Sequence, residues 1–201
     1  ELHNRKACGI VWCYTGDPAG FDAAFAPVRA QAPQWEGVGT VPYPGLQSAF
    51  DPLYPKGLQW YWRGDFVRTI PDEAVAVHAR FAEQLPSPLS TMHLYPIDGA
   101  VQRVGSADTA WSHRDVTYSS VIAGIDPDPR NAEAISRWTV DYWTAQHPYS
   151  AGGAYVNFMM DEGPDRVRAT YGGNYDRLRE IKAVYDPQNV LRLNQNLPPA
   201  I

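Results

Sequence analysis

Cysteine is scarce in this sequence, with two residues in 201, Cys8 and Cys13. Two thiols cannot build the disulfide framework on which small secreted scaffolds depend. Their odd spacing sends them to opposite faces of a shared strand, so they cannot bond to each other, and they are not a CxxC pair. Both are expected as buried structural thiols of a reducing compartment. Long apolar runs are missing too; none approaches the ~20 residues that span a bilayer. No secretory or transit signal and no Asn-x-Ser/Thr acceptor is visible. A cytoplasmic location is therefore expected. The sequence begins at Glu1, not Met, which suggests a processed chain or a fragment and leaves secretion open. The net charge is −5 with no basic stripe, which argues against a nucleic-acid partner. His3, His78, His93, His113 and His147 show neither HxxxH nor HExxH spacing, so no metal site is expected.

What is present suits a folded domain. Apolar residues make up 44% and charged residues 19%, and a chain of this length can bury roughly 70% of its unfolded surface. Seven Trp and twelve Tyr fit either an aromatic core or a pocket wall. Residues 7–14 (ACGIVWCY) read as a buried strand. Phe21, Phe25 and Val28 fall at helical spacing in 19–31. The Pro/Gly-rich stretch 33–57 reads as a long ordered loop. Strands are expected at 58–67, 89–97, 116–124 and 154–160, with a short one at 100–104. Helices are expected from Pro71 to about Leu85, after the Asp128-Pro129 cap to near His147, and over about 174–185. The predicted class is α+β, a mainly antiparallel sheet with helices packed on one face.

One segment is specific. From Ala154 the sequence runs AYVNFMMDEG, then RVRATYGGNYDRLREIKAVYDPQNVLRLNQNLPP. Tyr155-x-Asn157 is followed by Tyr171-Gly172-x-Asn174-x-x-Arg177-Leu178, then Lys182, Tyr185-Asp186-Pro187, Asn189, Arg192, Asn194, Gln195 and Pro198-Pro199. This resembles the C-terminal segment of berberine-bridge-type FAD-linked oxidases. Upstream, Gly99-Ala100-Val101, Thr109-Ala110-Trp111 and His113-Arg114 resemble the family's middle strands. The resemblance implies a substrate-binding α+β domain over 1–160 and a berberine-bridge-like helix and tail over 161–201. It also implies a separate FAD-binding domain, in the same or another chain, as the partner. No Gly-rich flavin-binding half and no flavin-linking His or Cys can be assigned here. FAD is thus expected in the complete protein and not in this chain alone, which by itself would be inactive.

The resemblance assigns the catalytic base to Tyr155. An unperturbed phenol has a pKa near 10, so such a base needs a neighbouring donor or positive charge. Asn157, on the same face of the expected strand, is assigned to the cofactor, as are the tail amides Asn194, Gln195 and Asn196. Some relatives place a glutamate base on the strand after His-Arg, near Ser120 here; VTYSSVIAG contains no carboxylate. Trp60 and Trp62 share one face of their strand, as do His93 and Tyr95. With His113 and Arg114 they are candidates for substrate contact, with core packing or structural pairing as the other reading. Gly172-Gly173 is read as a turn before an Asn174 N-cap.

The function expected from the resemblance is the substrate-side half of an FAD-dependent oxidoreductase acting on an alcohol, sugar or secondary metabolite. The alternative is a non-catalytic small-molecule-binding or structural module that has lost the FAD domain. A hydrolase built on Asp161 and Glu162 is disfavoured, because adjacent strand residues point to opposite faces.

Overall fold

A computed structural model describes residues 5–201, so His3 lies outside the described residues. The chain divides into two compact units, Glu1–Pro55 and Lys56–Ile201. The 160/161 division that the resemblance implies is a different one from this split.

In Glu1–Pro55 the helical spacing is realised as α1 (Phe21–Arg29), led by a 3-10 turn that the Asp17 carboxylate caps through the Ala19 N–H. Trp12 and Phe21 stack on Phe25. The 33–57 stretch contains the short helix α2 (Tyr43–Gln47) and a 3-10 turn at Asp51–Leu53. Residues 7–14 form no strand, contrary to expectation. A strand persists only when its N–H and C=O groups find a ladder, and this run makes none among the described residues. Ile10 and Val11 are exposed, and so are Cys8 and Cys13, which corrects their reading as buried thiols.

Lys56–Ile201 is built on three antiparallel strands, β1 (Gln59–Val67), β2 (Thr91–Pro96) and β3 (Tyr118–Asp126), in the order β1-β3-β2. The register sets Trp62 opposite Ala123, Phe66 opposite Ser119, and His93 opposite Val121. Even-numbered residues of β3 therefore share one face and odd-numbered residues the other. Helix α4 (Ala132–Gln146) covers the even face. It approaches closely because Gly124 has no side chain; a Cβ there would lie 2.6 Å from the Ile135 carbonyl oxygen. Ile135, Trp138 and Tyr142 form its buried stripe. Helix α3 (Asp72–Glu83) packs on α4, with Phe81 stacked on Tyr142. The α+β class with helices against an antiparallel sheet is thus observed.

Two further helices follow, α5 (Pro164–Tyr171) and α6 (Tyr175–Tyr185). Ala154, Met159, Val167 and Tyr175 form a second core, with Leu197 of the tail packed against it. Two strands expected in this unit are absent. Residues 101–103 form a 3-10 turn, and so do Val156–Phe158. Glycines at 152 and 153 hold positive φ, turning the chain before any strand can run on. The 109–114 region, likened to a family strand, is irregular. Its loop is held by Asn174, whose Nδ2 donates to the Ser106 and Thr109 carbonyls at 2.6 and 2.9 Å in place of capping α6.

Candidate active site

The odd face of the sheet, opposite α4, gathers most of the sequence-predicted residues. Trp60, Trp62 and Phe66 project from β1, and His93 and Tyr95 from β2. The 3-10 turn Val156–Phe158 lies against the same face at Gly64. A Cβ at position 64 would meet the Phe158 Cβ at 3.0 Å and the Ser120 carbonyl at 2.9 Å, so only glycine fits beneath the turn.

Aromatic rings then run in contact across the face. Tyr95 packs on Phe158 at 5.4 Å between centroids, Phe158 on Tyr155 at 5.1 Å, Tyr155 on Trp111 at 5.4 Å, and Trp111 on Phe66 at 5.1 Å. Trp60 and Trp62 form an edge-to-face pair of their own. Offset and edge contacts of this kind are the favourable aromatic geometries. Trp111, Phe158 and Phe66 were missed as site residues because each comes from a different segment, and only the register brings them together.

Tyr155 is half-buried and Asn157 exposed. Although 154–160 is a turn and not a strand, the two side chains still meet: Asn157 Nδ2 donates to the Tyr155 phenol oxygen at 2.7 Å. The His93 Nδ1 and the Tyr95 hydroxyl lie 2.8 Å apart, and burial holds the His93 imidazole below its usual range. His113 sends Nε2 to the Ala169 carbonyl at 3.0 Å and stacks on Phe66. Arg114 donates to the carbonyls of Trp111 and Val101 and to the Thr109 hydroxyl, stapling its own loop.

Among the tail amides, Gln195 donates to the Met159 and Met160 carbonyls at 3.2 and 2.8 Å, tying the tail to the Tyr155 segment. Asn194 is exposed at positive φ, and the Asn196 Oδ1 is buried without a hydrogen-bond partner. Ser120 faces α4 and bonds to the Asp65 backbone, away from Tyr155. Glu162 joins a buried ion network with Arg63 and Arg166. Among the described residues no group of three or more His, Cys, Asp or Glu could hold a metal, and no helix is long and apolar enough to cross a membrane.

The contacting rings of this face, with the Asn157 amide on the Tyr155 oxygen, have the chemistry to lie against a flat ring such as that of a flavin. The sequence supplies no Gly-rich turn for the dinucleotide phosphates.

Residues 154–198 match the family described as "Berberine and berberine like". An FAD-linked oxidoreductase of Dictyostelium discoideum is 27% identical over 164 residues, covering 81% of this chain and 36% of that protein. BBE-like #28 from Arabidopsis thaliana superposes with a TM-score of 0.76 at 19% identity, over 94% of this chain and 46% of that one. A chitooligosaccharide oxidase gives 0.66 at 20% identity, over 94% and 45%. The chain therefore spans between a third and a half of the length of these relatives.

Proposed function

We propose that this chain, a relative of berberine-bridge-type FAD-linked oxidoreductases, forms the substrate side of such an enzyme, with Tyr155 as the base that takes a proton from a substrate hydroxyl. The observation that carries the reading is the 2.7 Å hydrogen bond from Asn157 to the Tyr155 oxygen. The bond orients the phenol oxygen, and a fixed position is the first requirement of a candidate base.

Bound FAD would supply the hydride acceptor. Trp111 and Phe158 both contact the Tyr155 ring. Trp60, Trp62, His93 and Tyr95 offer apolar faces and hydrogen-bonding edges to a small polar substrate, an arrangement suited to an alcohol or sugar. Of the amides assigned to the cofactor, the exposed Asn194 is available to a flavin edge, Asn157 Nδ2 is engaged by Tyr155, the Asn196 Oδ1 is buried, and Gln195 is occupied with the Met159 and Met160 carbonyls. His113 and Arg114 serve this site by holding the loop that carries Trp111.

The test is Tyr155→Phe in the complete flavoprotein. Flavin reduction by substrate should slow by roughly 10²–10⁴-fold. An unchanged reductive rate would remove Tyr155 from the role. The isolated chain should show no flavin absorption band after purification.

A further inference from the structure

β1 is an edge strand, and its outward peptide groups belong to the even-numbered residues. Exposed edges are normally paired or covered. At one end Phe66 is paired, donating to the Gly153 carbonyl at 3.1 Å and accepting from the Ala151 N–H at 2.7 Å. At the other, the Trp62 N–H meets the Met160 sulfur at 3.3 Å. Residues 151–160 are thus stitched along the edge at both ends. Between the stitches the chain leaves the edge as the 3-10 turn Val156–Phe158, which closes on itself through the Phe158 N–H and the Tyr155 carbonyl at 2.7 Å. Among the described residues no backbone N–H of the turn reaches the Gly64 carbonyl. A side chain takes that place: Arg166 Nη2 donates to the Gly64 carbonyl at 2.5 Å.

Arg166 is itself fixed from three sides. The same nitrogen reaches Asp65 Oδ1 at 2.6 Å, Nε reaches Glu162 Oε2 at 3.2 Å, and the guanidinium lies over the Trp143 ring at 5.3 Å. The side chains of Arg166, Asp65 and Glu162 are 11%, 6% and 1% exposed. Directly above Gly64 sits Phe158, whose ring packs on both Tyr95 and Tyr155. The clamp, the glycine and the turn therefore form one stack, with the phenol at its top.

We propose that Arg166 is a positioning residue for Tyr155: its guanidinium stands in for the strand partner that Gly64 lacks, and so fixes the height of the turn carrying Tyr155, Asn157 and Phe158. The proposal rests on Tyr155 being the reactive group. Arginine suits the place because its planar fork serves several acceptors at once, which a lysine ammonium on a flexible stem cannot do in the same geometry.

The experiment reads the ring resonance of Tyr155 by NMR, in this chain carrying ring-labelled tyrosine. The signal is assigned by its loss in Tyr155→Phe, and Tyr142, buried against His78, serves as control. Arg166→Lys keeps the charge and loses the fork. Gly64→Ala keeps the Arg166 side chain and adds a Cβ that meets the Ser120 carbonyl at 2.9 Å and the Phe158 Cβ at 3.0 Å. Both variants should displace or split the Tyr155 signal while the Tyr142 signal stays in place. A purely stabilising role for Arg166 would lower the melting temperature and leave the Tyr155 signal unmoved below it; that result in folded Arg166→Lys overturns the proposal. Should Arg166→Lys fail to fold, Gly64→Ala decides, and an unmoved Tyr155 signal there overturns it equally. Activity is not the readout, so a failure of Tyr155 as a base would appear in Tyr155→Phe kinetics and not in these spectra.

Discussion

Each of the two units of this chain contains an arginine held between two carboxylates, and the two clusters have much the same geometry. In Glu1–Pro55, Arg29 reaches Asp22 and Glu36, both at 2.6 Å. In Lys56–Ile201, Arg166 reaches Asp65 at 2.6 Å and Glu162 at 3.2 Å. The Asp22 side chain is 85% exposed and that of Glu162 is 1% exposed. Water and salt screen the first cluster, and exposed pairs contribute little to stability. The second has lost its hydration, so each member depends on the others, and removing one strands a buried charge. Burial, more than distance, decides what an ion pair is worth.

The largest effect that could break this comparison is Arg166→Ala. It should cost about 3–5 kcal/mol in urea unfolding, because Asp65, Glu162 and the Gly64 carbonyl all lose a partner. A cost near that of an exposed pair would erase the distinction. Asp65→Asn should cost less, about 1–3 kcal/mol by the same measurement. Burial pushes the Asp65 carboxyl up, against the pull of Arg166 and His147, so a neutral group is better tolerated there than a lost guanidinium.

Histidine carries the comparison to titratable cations. Burial lowers both His78 and His93. As pH falls through about 6.5 the unfolded imidazoles bind protons first. The stability from these neutral rings is therefore fully present above that pH and is lost as pH drops through the folded values. The thermal midpoint should fall between pH 8 and pH 5, and His78→Gln should flatten the decline. A wild-type midpoint that rises toward acid would contradict this sign. The smallest effect is expected from Arg29→Ala, which should leave the thermal midpoint unchanged at physiological salt.

Much of this fold was legible in the sequence where local pattern and tertiary packing agree. The Ile135, Trp138, Tyr142 stripe named the buried face of α4, and the alternation in LQWYWRGDFV named β1. Residues 7–14 and 154–160 carry equally strand-like residues, yet neither forms a strand. β-propensity records a fit to a half-buried pleated surface, and the surroundings decide whether one exists. α5 is not among the expected helices, although Gly163-Pro164-Asp165 is a helix start, with Pro at the first position and an acid in the first turn. For the site, the resemblance nominated Tyr155 and Asn157, and the geometry places them in direct contact. Glu162 sits in an ion network and not on the strand that the residue pattern implies. Its partners Arg63 and Arg166 lie 99 and 4 residues away in sequence, and no local pattern connects the first pair.

The clamp on Gly64 also bears on how the chain comes to be folded. Arg166 and the carbonyl it holds are 102 residues apart. Contacts of such separation form late, because a long loop must close before they give any return. During synthesis at ~5–20 residues per second, β1 would wait roughly 5–20 s for the residues that cover its edge. For that interval its outer peptide groups, with Trp60 and Trp62 beside them, are open to any other extended chain. The same contact that holds the phenol in the finished molecule thus marks the moment at which the nascent one stops being at risk of aggregation.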